Sequence, residues 1–432
     1  MKPLNIFQRC IRVWEETHPY NAAQILHIQG TPDLQKLTDT WNDALASSGL
    51  GAARVDGRHF CYESPPRQEL TIVEPSQGLE AHITQEINRP FANVTRATRN
   101  QPCTTMPFRP FLLSHGDSFH LGVMYQHWVA DSISLRMLLK EWFCRLYDPA
   151  SATSNPLQVP HGGFWRYFGP GPGNWSLSKG AFTLARSMSQ FKSARRLHEL
   201  NDDHRVACSI HRIPDGMIDD LLQIARRRKM TLNDLFLAAL AKACDEHGAA
   251  PPNADRPDLA LGSIVDLRSM STENLENTFS LFLGFTAVVA PASLLADRDR
   301  LIDHIAHQNA RQKQHKAAHT SMLRMTVGYA QGIFLSQKQL ASFYRNYLPF
   351  SGGISNVNMN RSWPAHYHPT PLLDYLRVAP TGPMVPLVIA ITTIGKKFSF
   401  VLTRRTSLVD ANRGHALADT FIEELTAHAK AG

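Results

Sequence analysis

The chain has 432 residues, with 45 Lys and Arg against 37 Asp and Glu, giving a formal net charge of +8. With 43% hydrophobic and 19% charged residues it has the balance of an ordinary globular protein, long enough for two cores. No run of eighteen apolar residues offers a membrane span. The segment Met1–Cys10 lacks the apolar region and small-residue cleavage site of a secretory signal, so a cytoplasmic location without a membrane partner is expected.

The first part of the chain mixes strands and helices. Alternating or short apolar runs predict strands at Ala23–Gln29, Arg58–Tyr62, Leu70–Val73, Phe111–Leu113 and Phe119–Tyr125. Helical spacing predicts helices over Asp33–Ala46, Gly78–Asn88 and Ser132–Tyr147. A Pro/Gly/Ser-rich stretch from Asp148 to Asn174, including Gly169–Pro170–Gly171–Pro172–Gly173, reads as an inter-domain connection. A basic helical segment, Lys179–Leu200, completes the crossover. Beyond it, strands are expected at Val206–Arg212, Leu259–Val265, Phe285–Val289, Gly353–Val357, Tyr375–Val378, Leu387–Thr393 and Lys397–Leu402. The matching helices are Met217–Arg227, Leu232–His247, Ala296–Ala318 and Ala411–His428. Similar element order on both sides of the connection suggests two α/β halves, 1–148 and 205–432, joined by a linker and crossover helix over 149–204. No sequence repeat demonstrates the duplication.

Six scattered cysteines without a Cys-x-x-Cys pair read as buried thiols, not as a disulfide or metal framework. His366 and His368 are the nearest approach to a metal pattern, but further ligands are not identifiable; no metal is expected. Basic residues cluster at Lys192–Arg196, Arg226–Lys229 and Arg311–Lys316. Attraction of an anionic partner and plain solvated helix faces account for them equally well. No nucleic-acid recognition motif accompanies them, so no nucleic-acid partner is expected.

The most informative stretch is Met124–Tyr125–Gln126–His127–Trp128–Val129–Ala130–Asp131–Ser132. It follows the alternating run Phe119, Leu121, Val123, Tyr125 and opens into the helical pattern Ile133, Leu135, Leu138, Leu139, Trp142, Phe143. A histidine at the end of a buried strand, with a carboxylate one turn on, suits a fixed general base. The His-x-x-x-Asp spacing recurs at His198/Asp202, His211/Asp215 and His415/Asp419, but only His127/Asp131 lies at such a strand-to-helix transition. The bland alternative for His127 is a satisfied core histidine, and for Asp131 an N-cap.

This stretch resembles the condensation-domain superfamily of acyltransferases, whose motif reads His-His-x-x-x-Asp-Gly. His127 matches the second, catalytic His and Asp131 the Asp; Gln126 stands for the first His and Ser132 for the Gly. Weaker similarities run in order along the chain: Thr17–His18–Pro19–Tyr20–Asn21, Pro90–Phe91 with Ala92 for the expected Asp, Arg226–Leu232, Asp266–Leu267–Arg268, and Ile354–Ser355–Asn356–Val357. The resemblance implies an α/β fold of two chloramphenicol-acetyltransferase-like halves, a V-shaped pseudo-dimer with a central tunnel. It implies His127 as general base, with Asp131 paired to Arg268 to tie the motif to the second half, and Gln126 as support. Trp128, Ser132, Ser355 and Asn356 are then tunnel candidates. Trp128 is equally a core aromatic, Ser132 a capping residue, and Asn356 a turn residue.

The implied activity is free-standing acyl transfer from a phosphopantetheine thioester, on an acyl or peptidyl carrier protein or as acyl-coenzyme A, to an amine or alcohol. Amide or ester formation in secondary-metabolite biosynthesis, such as nonribosomal peptide synthesis, follows. No bound cofactor is implied, and a monomer suffices. The nearest rival is a catalytically silent docking or scaffold subunit, motivated by Gln126 and Ser132. A regulatory protein using its basic surface is the third class.

Overall fold

A computed structural model of the chain describes residues 1–92, 98, 100–153, 155–159, 167–168, 188–197, 203–314, 317–361, 363, 372–382 and 385–430. Its helices are α1 (Ile6–Glu15), α2 (Leu34–Ser48), α3 (Leu79–Ile87), α4 (Ser132–Tyr147), α5 (Met217–Arg227), α6 (Leu232–His247), α7 (Arg298–Gln314), α8 (Ala317–Phe334), α9 (Gln337–Tyr347) and α10 (Ala411–Lys430). Its strands are β1 (Lys2–Pro3), β2 (Asn21–Gln29), β3 (Ala52–Asp56), β4 (His59–Glu63), β5 (Thr71–Val73), β6 (Cys103–Thr105), β7 (Phe108–His115) and β8 (Ser118–Gln126). They continue with β9 (Val206–Arg212), β10 (Leu259–Asp266), β11 (Leu283–Ala290), β12 (Phe350–Asn358), β13 (Leu372–Val378), β14 (Leu387–Ile394) and β15 (Lys397–Arg405). The protein is α/β, as the sequence indicates.

Two compact units emerge. Unit 1 comprises Met1–Gly169, Arg268–Phe282 and Asn358–Pro380; unit 2 comprises Pro170–Leu267, Leu283–Val357 and Thr381–Gly432. The division differs from one made at a single linker, because two late segments of the chain pack into unit 1. The reason is visible in the sheet order β13-β2-β8-β7-β5. Without β13, strand β2 would be an edge with a row of unpaired backbone groups; β13 fills it in antiparallel register, Arg377 opposite Gln24 and Val378 opposite Ala23. The Gly169–Gly173 run, most of Lys179–Leu200, and His366 and His368 lie outside the described residues.

Strand β8 is the centre of unit 1 and is buried along its whole length. A strand covered on both faces needs apolar residues throughout, and Phe119, Leu121, Val123, Met124 and Tyr125 supply them. Helix α4 packs beside α2 through Trp142 and Trp41, whose rings lie 4.8 Å apart. The Trp142 N–H donates to the Leu37 carbonyl at 3.1 Å, so the buried indole leaves no donor unmet. A second sheet, β1-β4-β3-β6, completes the unit. Unit 2 is one mixed sheet, β11-β10-β12-β14-β15-β9. Its core forms around α6, where Leu235–Ala241 are all buried. Such a helix, apolar on every side, is stable only when surrounded by protein.

Gly122 marks where β8 is packed most tightly. A Cβ there would fall 2.2 Å from Phe111 Cζ and 3.0 Å from Ile25 Cγ1, and Phe111 is itself buried. Gly122→Ala is expected to lower unfolding free energy by about 1–3 kcal/mol in urea denaturation, the usual cost of overpacking.

Candidate active site

The motif begins where the β2–β8 ladder ends. Asn21 pairs with Gln126, and the His127 N–H then donates to the Tyr20 carbonyl at 3.1 Å. Strand alternation sends Gln126 to one face of the sheet and His127 to the other. A turn follows, in which the Val129 N–H donates to the Gln126 carbonyl at 3.1 Å, and α4 starts at Ser132.

The half-buried His127 ring is fixed at three points. Nδ1 lies 2.9 Å from the Ala130 carbonyl, the Tyr20 ring stacks on it at 5.6 Å, and Tyr125 meets it edge-on at 5.8 Å. A carbonyl only accepts, so Nδ1 carries the proton and Nε2 is left with the lone pair. Burial pushes the His127 pKa below its ordinary value, and Arg377 pushes the same way against the Ala130 hydrogen bond and Asp131. The neutral, basic form is therefore favoured at pH 7.

Asp131 is fully buried and does not serve His127 directly through a hydrogen bond. Its Oδ2 accepts from Arg268 Nη1 at 2.6 Å and from the Phe282 N–H at 3.0 Å. Its Oδ1 accepts from Arg268 Nη2 at 3.1 Å and from the Ser134 N–H at 2.9 Å, which caps α4. Burial alone would raise this carboxyl, but Arg268 and the two backbone donors hold it below the usual Asp value. N-cap and ion pair are thus one arrangement. Arg268 comes late in the sequence but belongs to unit 1, together with the segment to Phe282. The expected pair is present: it joins the motif to a residue from the second half of the sequence, and both residues lie in unit 1. Arg268 Nη2 also donates to Ser134 Oγ at 2.9 Å and to the Ser280 carbonyl at 3.2 Å, over the Phe282 ring at 5.0 Å. Ser134 was not singled out from sequence; its place three residues after an N-cap Asp was the available signal.

Gln126 is buried on the far face, with Nε2 3.5 Å from Glu15 Oε2 at the end of α1. Burial lifts the Glu15 carboxyl to about 8 against the pull of Arg12 and Gln126. Trp128, expected as a tunnel residue, is instead core: it has no exposed surface, meets Phe60 edge-on at 5.8 Å and sits under Arg12 at 5.3 Å. Ser132 is half-buried, and its Oγ and carbonyl accept from Gln24 Nε2 at 3.1 and 2.8 Å. Lys229 is the one non-glycine with positive φ among the described residues, so Ser132 needs no glycine-like backbone. Ser355 and Asn356 lie on β12 in unit 2, both half-buried.

Two other neighbourhoods have structural accounts. Asn21 Nδ2 donates to the carbonyls of Glu86, Ile87 and Arg89, tying the end of α3 to β2. Pro90 and Phe91 receive Arg109, its guanidinium 3.7 Å from the Phe91 ring centre. The basic clusters are partly internal: Arg195 pairs with Asp245 at 2.7 Å, and Arg228 pairs with Asp299 and, at 2.7 Å, Asp303. Among the described residues no helix is long and apolar enough to cross a membrane, and no group of three metal-ligating side chains converges.

The backbone is similar to several solved structures across nearly all of its length. Trichothecene 15-O-acetyltransferase from Fusarium sporotrichioides matches with a TM-score of 0.70 at 13% identity, covering 99% of this chain and 94% of that one. The condensation domain of the monacolin K polyketide synthase matches at 0.63 and 11% identity, covering 99% and 97%. The chain has the condensation-domain fold. The X-domain from teicoplanin biosynthesis shares it at 0.62 and 17% identity, covering 99% and 95%. Neither a family model nor a curated protein sequence matches the chain.

Asp131→Asn strands the Arg268 charge and is expected to cost about 3–5 kcal/mol at pH 7 in urea denaturation. Because folding depresses the Asp131 pKa, its contribution is present above the ordinary Asp value of about 3.9 and is lost as pH falls below it. The gap between wild type and variant should therefore narrow below about pH 4.

Proposed function

We propose that this chain is an acyltransferase that moves an acyl group from a phosphopantetheine thioester to an amine or alcohol. The donor is carried on an acyl or peptidyl carrier protein or on coenzyme A, and the product is an amide or ester of secondary metabolism. The observation that carries this reading is the fixed tautomer of His127, with Nδ1–H on the Ala130 carbonyl and Nε2 bearing the lone pair. Nε2 removes the proton of the acceptor as its oxygen or nitrogen attacks the thioester carbonyl. The new C–O or C–N bond forms, the C–S bond breaks, and the departing thiolate recovers the proton from the imidazolium.

Asp131 is a positioning residue in this scheme, since its lone pairs are all engaged. Ser132 keeps its hydroxyl hydrogen while accepting from Gln24, and with the N-terminus of α4 it is the assigned donor to the oxyanion. Ser355 and Asn356 are further candidates for substrate contact, on the strength of the family resemblance. No Gly-x-Ser-x-Gly elbow occurs in the sequence, which favours direct transfer over an acyl-enzyme.

A second reading is a docking subunit without chemistry. The departures at Gln126 and Ser132 favour it, as does the same fold in an X-domain found in complex with OxyB. A basic histidine held in one tautomer is superfluous to docking, so transfer is the preferred reading.

Mass-spectrometric transfer assays with acyl-coenzyme A and acyl-carrier thioesters against pooled amines and alcohols separate the two. Product that falls about 10²–10⁴-fold in His127→Ala supports the general base. Products unchanged in that variant remove it, and carrier binding without any product favours docking. Since His127 is pushed below its ordinary value, the acidic limb of kcat/KM should have its midpoint below about pH 6.5.

A further inference from the structure

Gln126, His127 and Trp128 are each joined to the last turn of α1. Gln126 lies against Glu15, Trp128 lies under Arg12 at 5.3 Å, and His127 meets Tyr20, whose ring is 5.4 Å from that of Trp14. Asn21 and Gln126 are the last pair of the β2–β8 ladder, so Tyr20 takes the position opposite His127. It holds that residue twice. Its carbonyl accepts the His127 N–H at 3.1 Å, which fixes the backbone. Its ring lies 5.6 Å from the imidazole with 21° between the planes, which fixes the side chain.

The hydroxyl and the ring of Tyr20 have separable parts in this. Burial pushes the phenol above its ordinary value and the Cys10 thiol pushes the same way, so near neutral pH it exchanges no proton with the imidazole. The ring is what touches His127. The Ala130 carbonyl holds Nδ1 but leaves the imidazole free to tilt about that single bond. A flat ring on one face resists the tilt. With Tyr125 edge-on at 5.8 Å, it also takes up space in which water would otherwise solvate an imidazolium.

We propose that Tyr20 is a positioning residue for His127, acting through the face of its ring to keep Nδ1 on the Ala130 carbonyl and water off one side of the imidazole. This rests on the acyl-transfer reading for the chemistry at Nε2 but not for the state of the ring. Trp14 backs Tyr20 from α1, and proton transfer stays with His127.

The test reads the imidazole and turnover separately. Labelling histidine with nitrogen-15 gives the tautomer and titration midpoint of His127 by NMR, its signal assigned by its loss in His127→Gln. In wild type and Tyr20→Phe the Nδ1–H form should dominate, with a midpoint below the ordinary value of about 6.5. In Tyr20→Ala one face is open to water, so the midpoint should rise towards about 6.5 and the second tautomer should appear. Arg12, Glu15, Asp131 and Arg377 are the same in every variant, so the change reports the lost ring. In transfer assays kcat of Tyr20→Ala should fall about tenfold to 10²-fold with KM unchanged, while Tyr20→Phe keeps wild-type values. Where Tyr20→Ala fails to fold, Tyr20→Leu fills the space without a flat face and should show the second tautomer and the same split of kcat from KM. A tautomer and midpoint unchanged in the folded variant overturn the proposal, as does a Tyr20→Phe that behaves like Tyr20→Ala, or a displaced ring with kcat intact. Absence of product from wild type, with the NMR change present, would sink the transferase reading and leave the hold on the ring standing.

Discussion

Everything at the candidate site depends on a carboxylate that is buried and yet ionised. Taking Asp131 out of water costs several kcal/mol, and the fold meets that cost by filling its lone-pair positions. Two of the four donors come from the Arg268 fork and two from backbone amides at Ser134 and Phe282. The three residues that donate belong to different structural decisions. Ser134 fixes where α4 begins, Phe282 fixes where a late chain segment lies, and Arg268 fixes that segment's start. With both ends of the turn pinned, Ala130 presents its carbonyl to His127 and so chooses the tautomer of the ring. The ion pair is thereby felt at the His127 imidazole without touching it.

The imidazole of His127 is tuned by opposing effects. Burial and Arg377 favour neutral imidazole, while Asp131 and the Ala130 carbonyl favour imidazolium. Were Asp131 free of Arg268, its charge would act on His127 undiminished and raise its pKa. The fork neutralises that field while keeping the geometry. On the opposite face, Gln126 and Glu15 present polar groups to each other away from the ring, so a change at that position reaches His127 only through the backbone.

How much of this was legible depended on how local each signal was. Helices α4, α5 and α6 have the bounds read from sequence, because their apolar periodicity is clear and Asp131, Gly216 and Thr231 stand just before their first residues. Helix α1 was not read, although Asn5-x-x-Gln8 forms a capping box and Phe7, Ile11 and Trp14 recur at helical spacing. Strand β3 was overlooked for a similar reason: Asp56–Gly57 is a hairpin signal, and Gly57 takes a φ of +56°. The expected helix Ala296–Ala318 covers the whole of α7, and its last residues reach the start of α8 beyond 315–316, which lie outside the described residues. Gln24 and Tyr375 could not have been read together. Their contact is created by β13 pairing with β2 across 351 positions of sequence, and no local pattern encodes that.

The exchange of Gly for Ser at 132 shows how a motif can change while its geometry persists. Glycine is demanded where φ is positive or where a neighbour leaves no room for Cβ. Ser132 opens a right-handed helix, so the first demand is absent. Its hydroxyl then takes a hydrogen bond from Gln24, whose other amide atom takes one from Tyr375 on β13. A residue that departs from the pattern thus links three elements of one sheet-and-helix layer. The substitution adds a hydroxyl donor at the N-terminus of α4 and fastens α4 to β2. The serine is thus held by the sheet it caps, and its position needs neither the backbone freedom nor the small size of glycine.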